Sequence, residues 1–278
     1  MNGSGGSASD RSGEIAGVPL FWREAQPAGG TPPTLYVHGS PTNSDDFLSF
    51  LERTGGFAPD LPGFGRSGKP ADFDYSIPGY VRLLERYIDA VVTTERFALV
   101  VHDWGALALT LSDEYLERLE RVVVINAVPL FSDYRWHRVA RLWRTPVVGE
   151  LTMGFSTRWG FKRLSRDAVA TDGRAPDYLI DRVWDHFDHG TQRAILKLYR
   201  SGPPEVLGRA GARLGAITCP GLVLWGRLDP YIPESFAAAY SGALGGPTRL
   251  ELVEEASHWP WIDRPEAVTT VTDFLVEG

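Results

Sequence analysis

A single cysteine, Cys219, is all the chain contains, so no disulfide can close within it. It lies in AITCPGLVLWG, just before an apolar run and with no base beside it, and so reads as a small buried side chain rather than a nucleophile. An excess of positive charge is missing too: 28 Lys and Arg against 35 Asp and Glu leave a net charge of −7. That balance argues against nucleic acid and anionic membranes as main partners, because both need a concentrated basic face. No segment reaches the roughly 18 to 20 apolar residues needed to span a bilayer. The opening MNGSGGSASDRSG lacks the apolar stretch of a secretion signal. With no internal repeat or low-complexity core segment either, the expectation is a cytoplasmic protein, monomer or homodimer, acting on a small neutral apolar substrate. Residues 1–13 are expected to form a disordered tail.

The 278 residues, 43% apolar and 23% charged, suffice for one enzyme-sized globular body. TPPTLYVHG (31–39) is a short apolar run opened by prolines and closed by glycine, hence a buried strand ending at a loop. FAPDLPGFGRSGKP (57–70) repeats the scheme and is mostly loop. Val81, Leu84, Ile88 and Val91 recur at helical spacing, which predicts a helix over 78–92. FALVVH then reads as strand, WGALALTLSDEYLERL as helix and RVVVINAV as strand. After an interruption come PGLVLWG (220–226), a helix near 233–240, RLELVEE (249–255) and a closing helix after Asp263. Strands alternating with helices predict an α/β class with a mostly parallel sheet. The interruption is rich in Trp, Arg and Tyr and has no convincing β run. The expected layout is therefore a core of residues 14–129 and 211–278, with a helical cap over 130–210 at the strands' carboxyl ends.

Asp103 in ALVVHDWGAL, Asp229 in LWGRLDPYIP and His258 in EEASHWPW each follow a predicted strand, as does HGSP at 38–41. Nucleophile, acid, histidine is the chain order of a hydrolytic triad on such a sheet. Each residue has a plainer reading. Asp103 could be a helix N-cap, Asp229 a turn residue before Pro230, and His258 a core histidine beside tryptophans. Convergence on one sheet edge favours the triad. His102 should face the opposite way along its strand, and His38 should brace its loop. His186 and His189, with Asp185 and Asp188, have the look of a metal pattern, but their spacing on an exposed helix end argues against one. GFGRSG evokes a phosphate loop without the Lys-Ser/Thr that would complete it.

VHGSPT, DLPGFGRSGKP, VVHDWGA, WGRLDPYIP and SHWPWIDRPE together resemble the epoxide hydrolase and haloalkane dehalogenase branch of the α/β-hydrolase fold. The similarity runs from about residue 15 to the end. It implies an eight-stranded, mostly parallel sheet, Asp103 as nucleophile, Asp229 as acid and His258 as base, with neither cofactor nor metal. A carboxylate nucleophile suits saturated carbon, where it forms an alkyl ester that water must then hydrolyse. The N–H groups of Ser40 and Trp104 would hold the resulting oxyanion, with Gly39 and Pro41 shaping the turn. The leaving group separates the two activities. Dehalogenases of this branch often hold halide with an Asn after HG, where this chain has Ser40, or with a cap tryptophan such as Trp136, Trp143, Trp159 or Trp184. Epoxide hydrolases use a pair of cap tyrosines as acids, occasionally a histidine with a tyrosine. Tyr199 matches the late tyrosine, and Tyr134 or His137 is the candidate for the early partner. Epoxide opening is therefore the first expectation and dehalogenation the alternative.

Overall fold

The computed structural model describes residues 7–27, 32–170 and 175–277. Its strands are β1 (Ser9–Ile15), β2 (Val18–Ala25), β3 (Thr34–Val37), β4 (Gly56–Pro59), β5 (Phe97–Asp103), β6 (Leu119–Ala127), β7 (Gly221–Gly226) and β8 (Thr248–Val253). They form one eight-stranded sheet in the order β1-β2-β4-β3-β5-β6-β7-β8. Only the pairs β1–β2 and β2–β4 are antiparallel.

The central strands are apolar on both faces because helices cover both. Leu99 and Val101 of β5, Val122 and Val124 of β6 and Val223 of β7 pack on one side, with the helix Ile77–Tyr87. Their neighbours in sequence, Val100, Val123, Ile125, Leu222 and Leu224, pack on the other, with helices Leu48–Thr54 and Glu266–Val276. The period-two alternation of a strand thus divides one apolar run between two cores.

Three expectations need correction. Ser9–Gly13 are not tail: they pair with β2 from Ser9↔Glu24 onward, and their exposed polar side chains are those of an edge strand open to water. Residues 1–6 lie outside the described residues. The stretch after Asp103 is not one helix but a tight 3₁₀ segment, Trp104–Thr110, followed by a short helix, Asp113–Leu116, because Leu111 and Ser112 turn extended between them. Cys219 is only partly buried, and its thiol is pushed up to about 11 by burial.

Between β6 and β7 run the helices Arg138–Arg144, Val148–Gly154, Arg158–Leu164, Asp177–Trp184, His189–Ser201 and Pro204–Ala210. No strand falls there among the described residues. A cavity lies between these helices and the carboxyl ends of the strands.

Candidate active site

Asp103 ends β5 with φ 48° and ψ −122°, a conformation that costs on the order of 1–3 kcal/mol for a residue with a side chain. The surroundings dictate it. A Cβ on Gly105 would stand 2.0 Å from the Val37 carbonyl oxygen, and one on Gly39 would stand 2.3 Å from the Asp103 Cβ. Only glycine at both positions lets the turn press against β3 and lift the carboxylate into the cavity. Asp103 makes no capping bond to the helix that follows. Instead, the Ser40 N–H donates to its Oδ2 at 2.8 Å, and the Trp104 N–H is directed at the same carboxylate. The HGSP loop is braced by His38, whose Nδ1 donates to the Gly39 carbonyl at 2.6 Å while Nε2 accepts from the Leu61 N–H at 2.8 Å. The Ser40–Pro41 bond in that loop is cis.

His258 and Asp229 complete the cluster. His258 Nδ1 donates to Asp229 Oδ2 at 2.7 Å, and its Nε2 lies 3.9 Å from Asp103 Oδ1. The other oxygen of Asp229 accepts the N–H groups of Tyr231 and Ile232 at 2.8 and 3.1 Å. One carboxylate therefore closes the turn and orients the imidazole together. Burial pushes Asp103 up to about 6, against the opposing pull of His258 and the two backbone donors. Burial alone would lower His258, but Asp229 and then Asp103 outweigh it and hold the imidazole above its ordinary value. His102 is buried, facing away from Asp103, with Nε2 donating to the His258 carbonyl at 2.9 Å.

A further residue, Asn126 at the end of β6, escapes a reading of the sequence. Its Nδ2 donates to Asp229 Oδ2 at 2.7 Å, and its Oδ1 accepts the Gly226 N–H at 2.9 Å. It also adopts φ 36°, which Asn tolerates better than most residues. The available signal is a fully buried amide closing an otherwise apolar parallel strand. Asn126→Ala removes a hydrogen bond to a charged group, about 1.5–3 kcal/mol. The expected result is a roughly 10- to 100-fold fall in kcat with KM little changed, read from steady-state kinetics.

Tyr199, Tyr134 and His137 all line the cavity with Asp103 and His258. Burial, then the nearby Asp103 charge, holds both phenols well above their ordinary range, so they are protonated at neutral pH. The Tyr134 hydroxyl donates to the Tyr231 carbonyl at 3.3 Å. His137 is pushed down to about 4 by burial and then by His258. Its Nδ1 accepts the Ala140 N–H as the cap of Arg138–Arg144. His137 is thus a neutral wall residue. Trp136 also lines the cavity, but its Nε1 donates to the Gly202 carbonyl at 2.9 Å. Trp104 Nε1 is buried without a well-formed hydrogen bond, its ring edge-on to Tyr199 and stacked on Trp136. Trp159 is exposed, and Trp184 stacks on Phe187; neither lines the cavity. Asp188 caps the helix His189–Ser201 and accepts from Lys69 at 2.9 Å.

The family model for the alpha/beta hydrolases matches residues 35–271, most of the chain and all of this cluster. The chain belongs to the alpha/beta hydrolase family. Among curated relatives of this hydrolase, Epoxide hydrolase 3 of Xenopus tropicalis is 26% identical over 268 residues, covering 88% of this chain and 72% of the relative. A Haloalkane dehalogenase of Bradyrhizobium diazoefficiens is 28% identical over 296 residues, covering 93% and 91%. Among solved structures, the haloalkane dehalogenase DbeA from Bradyrhizobium elkani superposes with a TM-score of 0.82 over 96% of this hydrolase and 97% of that chain. At 24% identity that match speaks to the fold. Among the described residues, no helix is long and apolar enough to cross a membrane.

Proposed function

We propose that this hydrolase opens epoxides to vicinal diols through an alkyl ester on Asp103, in the cytoplasm and on small neutral apolar substrates, with residues 130–210 as its cap. The observation that carries the reading is one apolar cavity facing both a buried carboxylate and two protonated phenols. Asp103 Oδ1 attacks a ring carbon in line, the C–O bond breaks, and Tyr199, with Tyr134 as partner, protonates the departing alkoxide. His258 then takes a proton from water, which adds to Asp103 Cγ. Negative charge collects on Oδ2, already held by the Ser40 N–H and faced by that of Trp104. Collapse breaks the Cγ–Oδ1 bond, His258 returns its proton to the leaving oxygen, the diol departs, and the proton left on the new Asp103 carboxyl passes to the Tyr199 phenolate, which restores both groups.

Dehalogenation by the same aspartate is the second reading, favoured by the indole of Trp143 on the cavity wall and by the dehalogenase relative. Its donor set is weaker elsewhere: Trp104 is not in the cavity lining and its side chain is engaged with Tyr199, Trp136 Nε1 is committed to Gly202, and position 40 is Ser. Trapping separates the two. His258→Gln should stall ester hydrolysis, so the intact protein, incubated with matched epoxide and haloalkane panels, gains the mass of the whole epoxide. A gain equal to the alkyl fragment without halogen, from haloalkanes alone, would transfer the assignment to dehalogenation, and no adduct on Asp103 from either panel would remove both.

The pH dependence of the first step follows from the Asp103 position. The attacking carboxylate must be ionised, and burial sets its pKa at about 6. In the wild type, single-turnover alkylation should therefore slow as pH falls through about 6 and level off above 7, as rapid-quench mass analysis of the Asp103 ester would show. The midpoint should move up in His258→Gln, which loses the imidazole's opposing pull.

A further inference from the structure

We infer that the substrate carries an apolar tail, threaded from the Asp103 cavity into a second groove between the helices Val148–Gly154 and Arg158–Leu164. This rests on the alkyl-ester reading above but not on the leaving group. The cavity around Asp103 is narrow, about 60 Å³, whereas the neighbouring groove measures about 320 Å³. The two share a wall of four residues, Pro41, Val139, Trp143 and Phe161, so one opens beside the other. Among the described residues, no Asp, Glu, Lys or Arg lines the groove. Its surface is mainly aliphatic and aromatic, including Met153, Phe187 and Ile195, and its few polar members are spoken for. The Thr152 hydroxyl donates to the Gly149 carbonyl, and Ser156 donates to that of Thr152.

The outer rim strengthens the case. Phe155 is 81% exposed and Leu142 47% exposed, and both line the groove. Leu151 on the helix Val148–Gly154 and its flanking residues Val147 and Phe155 are exposed, and of these Phe155 lines the groove. Gly149 and Met153, on the same helix, are buried. A helix apolar on two sides has only one of them covered by the fold. An alkyl chain lying in the groove would cover part of the other, and its far end would emerge at Phe155 and Leu142. A polar tail would have no partner on those walls.

The test is a chain-length series of terminal epoxides, from butylene oxide to 1,2-epoxyhexadecane, each below its aggregation limit, with 1-bromoalkanes of the same lengths in parallel. Each methylene buried in the groove should raise kcat/KM by up to about fourfold, equivalent to about 0.8 kcal/mol. Ser156→Trp fills the groove at mid-length, and Leu142→Glu places a charge at its mouth. In both variants the ratio of long-chain to short-chain kcat/KM should fall towards one. Equal kcat/KM across lengths in the wild type, with short epoxides still turned over, would overturn the tail assignment and leave the proposed function standing. A length dependence that survives both variants would overturn the groove as its location. Length-dependent turnover of bromoalkanes with none of epoxides would sustain the tail while overturning epoxide opening.

Discussion

Asp103→Ala is expected to lower kcat/KM by about 10⁴-fold or more, because among the described residues no other carboxylate lines the cavity and the proposed covalent route disappears with it. The same position should show the opposite sign in stability. A carboxyl whose folded pKa is raised, here from 3.8 to about 6, resists ionisation in the native state, so ionisation destabilises the fold as pH rises between those values. That rise corresponds to about 3 kcal/mol, a figure already net of the attraction to His258. Asp103→Asn keeps an acceptor for the Ser40 N–H while removing the charge. It should melt a few degrees above the wild type at pH 7 and no higher near pH 4, as paired thermal melts would report. A lower melting temperature at pH 7 would contradict the account of burial given for this carboxylate. The proposed nucleophile thus sits where the fold would prefer a neutral group, the usual tension between activity and stability.

Much of this arrangement was legible in the sequence because the chemistry stands at strand ends. An apolar run followed by a charged or imidazole residue and then Gly or Pro marks a place where the chain leaves the core, and parallel topology brings such places to one edge. Asp103, Asp229, His258 and the HGSP loop share that signature. Asn126 does not: inside RVVVINAV it looks like one more strand residue, and only the parallel pairing of β6 with β7 brings its amide to Asp229 and Gly226. Ser9–Gly13 hid for the converse reason, since an edge strand open to water keeps a polar composition that resembles a tail. The need for glycine at 39 was visible only as a turn preference. Its cause, the approach of the Asp103 side chain, belongs to two strands brought side by side. Between Tyr134 and His137, both on the wall, sequence spacing could not choose. Environment does, because burial leaves the phenol protonated and the imidazole neutral and engaged as a helix cap.

Tyr199→Phe should cut epoxide opening by about 10²- to 10⁴-fold, the range for a lost general acid. The phenol lies on the helix His189–Ser201, buried, packed edge-on against Trp104 and Trp143 and tilted against Trp136. That aromatic cage fixes the ring, and phenylalanine fills nearly the same space, so the fold should tolerate the change. Its pKa is raised first by burial and then by the Asp103 charge. Once Asp103 is esterified that charge is gone, and the phenol becomes a stronger acid as the alkoxide develops. The proton is therefore held while the nucleophile is charged and released as its charge is consumed. A halide leaves without a proton, so turnover of any bromoalkane should change far less in the same variant. Parallel single-turnover measurements on the two substrate types read that difference directly. Equal losses on both would make Tyr199 a packing residue, and wild-type epoxide rates would move the acid role to Tyr134.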